Sequence, residues 1–103
     1  DGTYDLGGQE VIVVHGEARL PAGNLAGSTL TMDRAVRNVR QAAELSTREA
    51  ICLATLTPAQ SVGVAAHKGR VAPGCDADLV ILDRDLNVVA TVVGGEVVYQ
   101  ASV

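Results

Sequence analysis

The sequence predicts an α+β chain with strands at both ends and helices in the middle. Three observations support this: glycine-punctuated strand-favouring runs open the chain, an apolar repeat at steps of three and four residues follows, and valine-rich runs close it. With 103 residues the chain has room for one small domain at most. Its residues are 48% hydrophobic but 2% aromatic, so Val, Leu, Ile and Ala must supply the buried area. Such faces belong either to a small independent fold or to a piece that a larger protein covers.

The formal net charge of −4 argues against a nucleic-acid or anionic-membrane surface. We interpret Arg34, Arg37 and Arg40 as a solvated helix face. Cys52 and Cys75 show neither metal-ligand spacing nor a disulfide framework. No run approaches the length of a membrane span and no signal segment opens the chain, so we expect a cytoplasmic setting.

A β-hairpin is predicted over residues 9–20. Residues 11–14 favour strands, and His15-Gly16 supplies a turn in which glycine takes a positive φ. Pro21 and Gly23 end the returning strand. His15 has no second ligand at metal-ligand spacing, so we interpret it as a solvated turn residue.

The segment between these strands and the helices is short and rich in small residues. Gly27 lets the backbone turn tightly or approach a neighbour without a Cβ in the way. Ser28, Thr29 and Thr31 can accept hydrogen bonds at a helix start, and we predict Thr31 as the N-cap with Asp33 in the first turn. The segment is either a capped loop or a loop whose N–H groups bind a polar or anionic ligand.

An amphipathic helix is predicted over residues 31–45. Its apolar stripe consists of Met32, Ala35, Val36, Val39, Ala42 and Ala43. Burial contributes about 0.8 kcal/mol for each CH₂ removed from water. The stripe therefore needs a partner surface.

Two further helices are predicted directly after the first. Ser46 and Glu49 fit a capping box that starts the second helix. Thr57 is predicted as the N-cap of the third helix, with Pro58 at its first position and Gly63 at its end.

From residue 64 onward the pattern changes to turns and strands. The run Leu-Val-Ile-Leu at residues 79–82 predicts a strand buried on both faces. A polar turn at 83–87 follows. Two more strands, at 88–93 and 96–99, are joined by a tight Gly94-Gly95 hairpin.

Three motifs now stand in order along the chain. They are LAGSTLTM at 25–32 with AVRN at 35–38, ATLTPA at 54–59 with Gly63, and KGRVAPGCDADLVILD at 68–83 closed by VGGEVVY at 93–99. The second and third motifs resemble the C-terminal signature of the amidohydrolase superfamily. With the first motif, the chain resembles the C-terminal quarter of the N-acetylglucosamine-6-phosphate deacetylase family.

The resemblance implies a metal-dependent (β/α)₈ barrel beside a small β-sandwich built from both chain ends. Residues 1–63 are then expected to end the barrel domain, with a hairpin, a substrate loop and the final helices. Residues 64–103 are expected to supply C-terminal strands of the sandwich. The missing barrel strands would cover the apolar helix stripe, and the chain would begin after the eighth barrel strand.

The resemblance also implies hydrolysis of an acetamide in N-acetylglucosamine 6-phosphate, assisted by a divalent metal of the zinc or iron class and an Asp that handles the proton. The catalytic Asp and the metal ligands would precede Asp1, so this chain is expected to hold no catalytic residue and no metal ligand. His15 and His67 match no family ligand. The family's substrate-contacting Leu-Ser-Gly falls on Leu25, Ala26 and Gly27, where Ala26 replaces Ser.

The implied partners are the amino-sugar phosphate, the rest of the barrel and further copies in a homo-oligomer, with no nucleic acid and no membrane. Two alternatives stay open. The second and third motifs also allow another cyclic-amide hydrolase or deaminase of the superfamily. A non-catalytic structural or interaction domain is the third reading.

Overall fold

The computed structural model describes residues 1–102, and it confirms the predicted α+β class. The backbone divides into two compact units, Asp1–Thr31 and a second unit that begins at Met32. No helix within residues 1–102 is long and apolar enough to cross a membrane.

The first unit is a four-stranded antiparallel sheet. Its strands are β1 (Gly2–Leu6), β2 (Gln9–Val14), β3 (Glu17–Arg19) and β4 (Leu25–Gly27), in the order β1-β2-β3-β4. The predicted hairpin is β2 and β3. Strand β1 was not predicted, because residues 1–6 lack the run of β-branched side chains that marks β2.

Two tight turns connect the first three strands. Gly7 and Gly8 have φ of 61° and 87°, and His15 and Gly16 have φ of 50° and 79°. Positive φ at both central residues is the backbone of the hairpin turn that matches the twist of paired strands. Because Gly7 and Gly8 take this conformation without a side-chain clash, they fold β1 onto β2.

The second unit begins with α1 (Met32–Ala42), which is shorter than the predicted helix. Glu44 has φ of 53°, and its N–H donates to the Gln41 carbonyl at 3.4 Å. The Leu45 N–H donates to the Arg40 carbonyl at 3.0 Å. This pair of hydrogen bonds is a Schellman motif, and it ends α1 without the usual glycine.

Helix α2 (Thr47–Ala54) confirms half of the predicted capping box. The Glu49 N–H donates to Ser46 Oγ at 3.1 Å, as expected. The Glu49 carboxylate, however, accepts from the Ser46 hydroxyl at 2.9 Å and not from the Ser46 N–H. One free donor at the helix start is thus capped by a side chain.

Helix α3 (Leu56–Ser61) begins earlier than predicted. Its N-cap is Thr55, not Thr57, and Pro58 is the third helical residue, where its missing N–H costs no intrahelical hydrogen bond. The Thr55 hydroxyl donates back to the Ile51 carbonyl at 2.8 Å instead of capping α3. Gly63, with φ of 79°, ends the helix as predicted.

The second sheet has the order β5-β6-β7, formed by Leu79–Leu82, Val88–Val93 and Glu96–Gln100. The Gly94-Gly95 hairpin is confirmed. The prediction that residues 79–82 are buried on both faces is wrong for this structure, since Val80 is 56% and Ile81 51% exposed. Leu79 and Leu82 are half-buried, and Leu82 packs against the core cluster of the second unit, so burial of β5 is partial.

The core of the second unit joins residues that are distant in sequence. Val36 of α1, Ala50 of α2 and Leu86 of the turn between β5 and β6 are buried together. Leu86 has φ of 62°, an uncommon conformation for a residue with a side chain. Asp83 stabilises it, since the Asp83 carboxylate accepts from the N–H groups of Asp85 and Asn87, each at 2.9 Å.

Candidate functional site

The segment expected to contact substrate is strand β4 at the edge of the first sheet, rather than a loop. Leu25 pairs with Arg19 and Gly27 pairs with Ala18, with a register shift between the two β3 residues. Leu25 is 65% exposed, and Ala26 is half-buried. Within residues 1–102 no strand covers the outer side of β4, so its backbone faces outward there.

Gly27 lies in open space, so the tight turn or close neighbour predicted for its backbone is not found within the described residues. Its φ is not positive, and a Cβ added to it would meet no atom of this structure within 4 Å. Neither a strained turn nor a close approach within the described residues therefore requires glycine. The open space beside Gly27 is available to a group outside these residues.

Two side-chain hydrogen bonds fix the backbone on either side of β4. The Thr29 hydroxyl donates to the Gly16 carbonyl at 2.5 Å. Arg19 Nη1 donates to the Gly23 carbonyl at 2.7 Å. Sequence reasoning missed both, because their acceptors are backbone carbonyls, which every residue carries.

The start of α1 follows the prediction in part. Thr31 directly precedes the helix and Asp33 lies in its first turn. The interpretation of the arginines as a solvated face is wrong for Arg37, which is half-buried. Arg37 Nη1 donates to Asp33 Oδ2 at 3.1 Å and to the Leu86 carbonyl at 2.9 Å, so it connects α1 to the β5–β6 turn.

A charged cluster lies before the second sheet. The Lys68 ammonium contacts Asp76 at 2.9 Å and also Asp78. The ammonium and the Gly94 N–H, which donates to Asp78 Oδ1 at 2.9 Å, lower the pKa of Asp78. The two carboxylates, Asp78 first, raise the pKa of Lys68. The cluster ties the segment before β5 to the β6–β7 turn, and its three charged side chains remain partly exposed to solvent.

The described residues do not fit a metal site. Within residues 1–102 no three His, Cys, Asp or Glu side chains are placed to hold an ion. His15 lies in the β2–β3 turn, and the His67 carbonyl accepts from the Asp76 N–H at 2.9 Å. Cys52 and Cys75 are half-buried and free. The described residues alone therefore form no metal site.

Comparison with known proteins gives one family match and a consistent set of relatives. The profile of the Amidohydrolase family matches residues 8–98. A Lysinibacillus sphaericus protein named N-acetylglucosamine-6-phosphate deacetylase is 42% identical over 101 residues, which are 98% of this chain and 26% of that protein. An Escherichia coli (strain K12) protein named putative N-acetylgalactosamine-6-phosphate deacetylase is 44% identical over 88 residues, 85% of this chain and 53% of that protein.

A solved structure shows the same relationship. The crystal structure of N-acetylglucosamine-6-phosphate deacetylase from Thermotoga maritima matches with a TM-score of 0.85 and 44% identity, over 98% of this chain and 28% of that one. The chain thus spans about a quarter of the N-acetylglucosamine-6-phosphate deacetylases that it matches. The resemblance found in the sequence is confirmed, and a C-terminal portion of such an enzyme fits these matches. Since the family profile covers most of its residues, the chain belongs to the amidohydrolase family.

Proposed function

We propose that this chain is part of a longer deacetylase that hydrolyses N-acetylglucosamine 6-phosphate to glucosamine 6-phosphate and acetate. The observation that carries the proposal is the similarity to N-acetylglucosamine-6-phosphate deacetylases over 98% of the chain, in sequence and in structure. The named relatives are sugar-phosphate deacetylases, which favours this reaction over a cyclic-amide hydrolase, a deaminase or a non-catalytic domain.

Within that enzyme, Leu25, Ala26 and Gly27 are proposed to contact the substrate through their backbone. The exposed outer side of β4 supports this, because N–H and C=O groups at a sheet edge are free to bind a polar ligand. Ala26 carries no hydroxyl, so a contact there must use the backbone. The open space beside Gly27 leaves room for a sugar ring.

The other parts of the enzyme are proposed to lie outside this sequence. They are the barrel strands, the divalent metal with its ligands and the catalytic Asp that the family resemblance implies. In that enzyme residues 1–63 would end the barrel domain, and residues 64–103 would supply strands of the sandwich. Exposed apolar side chains support a covering layer; Met32, for example, is 70% exposed. A homo-oligomer in the cytoplasm stays a prediction.

A second substrate, N-acetylgalactosamine 6-phosphate, is supported by the Escherichia coli relative named for it. The two sugars differ in the configuration of one ring hydroxyl. Comparison of kcat/KM for the two substrates decides between them. The proposed function requires kcat/KM to be larger for N-acetylglucosamine 6-phosphate than for N-acetylgalactosamine 6-phosphate.

The substrate contact is tested by Gly27→Val in the complete enzyme. Because a Cβ at this position meets no atom of the described residues, we expect normal folding and unchanged bound metal. We expect kcat/KM to fall by at least about tenfold, the equivalent of 1.4 kcal/mol of lost transition-state binding. Steady-state kinetics measures kcat/KM, and metal analysis measures the bound metal.

The matched control is Ala22→Val, which adds similar bulk at an exposed residue of the preceding turn. It should leave kcat/KM within about twofold, a difference well under 1 kcal/mol. Equal effects of the two variants would count against the assignment of Gly27, and metal loss would indicate misfolding instead.

A further inference from the structure

Strand β4 is held at both ends by side chains that connect it to β3 and to the turn before β3. Thr29, two residues after β4, donates its hydroxyl to the Gly16 carbonyl, directly before β3. Arg19, the last residue of β3, donates to the Gly23 carbonyl, two residues before β4. All four residues belong to the first unit. The two contacts form a clamp across the ends of β4.

The strand ladder alone gives β4 weak support. The strand has three residues and two paired positions, and its register shifts between Ala18 and Arg19. Leu25 is largely exposed, so burial adds little. Segments with few buried contacts and exposed backbone hydrogen bonds are those that open most readily. The two side-chain hydrogen bonds therefore add to the few backbone hydrogen bonds that fix β4 and the turn before it.

Glu17 orients the arginine of the clamp. Glu17 Oε2 accepts from Arg19 Nε at 3.0 Å and lies 2.9 Å from Nη2. With these two nitrogens bound, the rigid guanidinium directs Nη1 toward the Gly23 carbonyl. The turn is closed further by the Leu20 N–H, which donates to the Asn24 carbonyl at 2.9 Å. Arg19 and these backbone groups together set where the chain enters β4.

We propose that Thr29 and Arg19 are positioning residues that hold the Leu25–Gly27 backbone in the orientation that binds the sugar phosphate. This inference rests on the proposed function of β4. Neither side chain is required to touch the substrate. A pre-ordered backbone removes the ordering cost from the binding step. Loss of the clamp is therefore expected to raise KM and to leave kcat nearly unchanged.

The test uses Thr29→Val and Arg19→Met in the complete deacetylase. Thr29→Val keeps the shape of the side chain and removes the donor, so KM for N-acetylglucosamine 6-phosphate should rise about threefold to tenfold, the range for one lost hydrogen bond. Arg19→Met should act in the same direction, and kcat should stay within about twofold in both. Thr29→Ser restores the hydroxyl and should restore KM. Thr3→Val removes a hydroxyl from β1 of the same sheet and should leave KM unchanged.

Amide hydrogen exchange supplies a readout that is independent of activity. Thr29→Val should speed exchange in residues 25–27 and leave residues 10–14 of β2 as they were. Equal exchange and equal KM in Thr29→Val and Thr3→Val would overturn the clamp. Faster exchange throughout β1 and β2 would also overturn it, because that result describes general destabilisation. A wild-type enzyme without turnover of the sugar phosphate would instead refute the proposed function, while the exchange experiment would still test the clamp.

Discussion

Each of the two units is stabilised by a different kind of internal contact. Within Asp1–Thr31, which the structure describes throughout, the buried hydrophobic side chains are Val11 and Ala18, and neighbouring strands are joined by tight turns or a short loop. In the second unit, Val36, Ala50 and Leu86 pack together from three elements. The first unit relies on local turns and the second on contacts between residues distant in sequence.

This difference matters because the proposed substrate strand lies in the unit with the smaller core. A small core leaves hydrogen bonds such as those of Thr29 and Arg19 to fix β4. The second unit is ordered by its own core, and no cluster of metal ligands lies within residues 1–102. Under the proposed function the first unit contributes a substrate contact, while Val36, Ala50 and Leu86 order the second unit.

The largest effect is expected when these 103 residues are made alone. Because the first unit is proposed to contact substrate only through its backbone, and no metal cluster lies within residues 1–102, we expect no release of acetate from N-acetylglucosamine 6-phosphate with any divalent metal. An acetate assay with the complete enzyme as positive control measures this. Acetate release by the isolated chain would contradict the proposal that these residues bind substrate without catalysing the reaction.

Truncation of one buried side chain in each unit compares the two cores. Leu86→Ala should destabilise the protein by about 2–4 kcal/mol, because it removes most of a side chain that is 4% exposed. Val11→Ala in β2 should cost about 1–2 kcal/mol, since this substitution removes fewer carbon atoms than Leu86→Ala does and removes them from a smaller core. Denaturant unfolding of the complete enzyme gives both values, with exposed Val80→Ala as control. A larger loss for Val11→Ala would reverse the comparison.

Gly69 offers a test of packing within the second unit. An added Cβ would lie 2.8 Å from the Ala59 Cβ and 3.0 Å from the Leu56 Cα. Gly74 has a similar φ, 85° against 91°, but a Cβ there meets nothing within 4 Å.

Gly69→Ala should therefore cost about 1–3 kcal/mol more than Gly74→Ala, because the positive φ strains both variants and the clash adds to one. The difference in unfolding free energy isolates the clash. Equal losses would show that the space around Gly69 relaxes freely.

The smallest effect concerns acid stability of the second unit. The backbone N–H and side-chain amide of Asn87, with the Asp85 N–H, lower the pKa of Asp83, and Lys68 with the Gly94 N–H lowers the pKa of Asp78. A lowered folded pKa gives stability that is present above the ordinary value of 3.8 and is lost as the pH falls through the folded pKa. The raised pKa of Lys68 gives stability that is present below 10.5 and is lost as the pH rises through the folded pKa.

Asp83→Asn should therefore flatten the loss of stability below about pH 4, because it removes one of these titrations. Unfolding midpoints measured against pH test this. Asp85→Asn changes a carboxylate in the same turn but leaves the Asp83 hydrogen bonds in place. Its loss of stability at low pH, the acid limb of the curve, should therefore match that of the unmodified protein. An unchanged acid limb in Asp83→Asn would contradict the prediction.

Local features were predicted well from sequence, and their failures have local causes. The turns at His15-Gly16 and Gly94-Gly95, the Ser46 cap and the end of α3 at Gly63 are as expected. The end of α1 was placed too late, because Glu44 occupies the left-handed position where glycine is usual. The start of α3 was placed too late, because Thr57-Pro58 mimics a helix start two residues after the true N-cap, Thr55.

The candidate site was predicted only as a position in the chain. The family motif singled out residues 25–27 but indicated a loop, since three residues without β-branched side chains carry no strand signal. Their pairing with β3 is what makes them a strand.

The sequence by itself determined the turns at His15-Gly16 and Gly94-Gly95, the Ser46 cap and the family, because each depends on residue types within a few positions of one another. The tertiary structure alone decided that Thr29 binds a carbonyl 13 residues away and that Arg37 binds one 49 residues away. It also decided that Leu86 enters the core against the preference of its backbone. The physical reason is that every residue carries the same carbonyl, so only the folded chain selects which one a distant donor reaches.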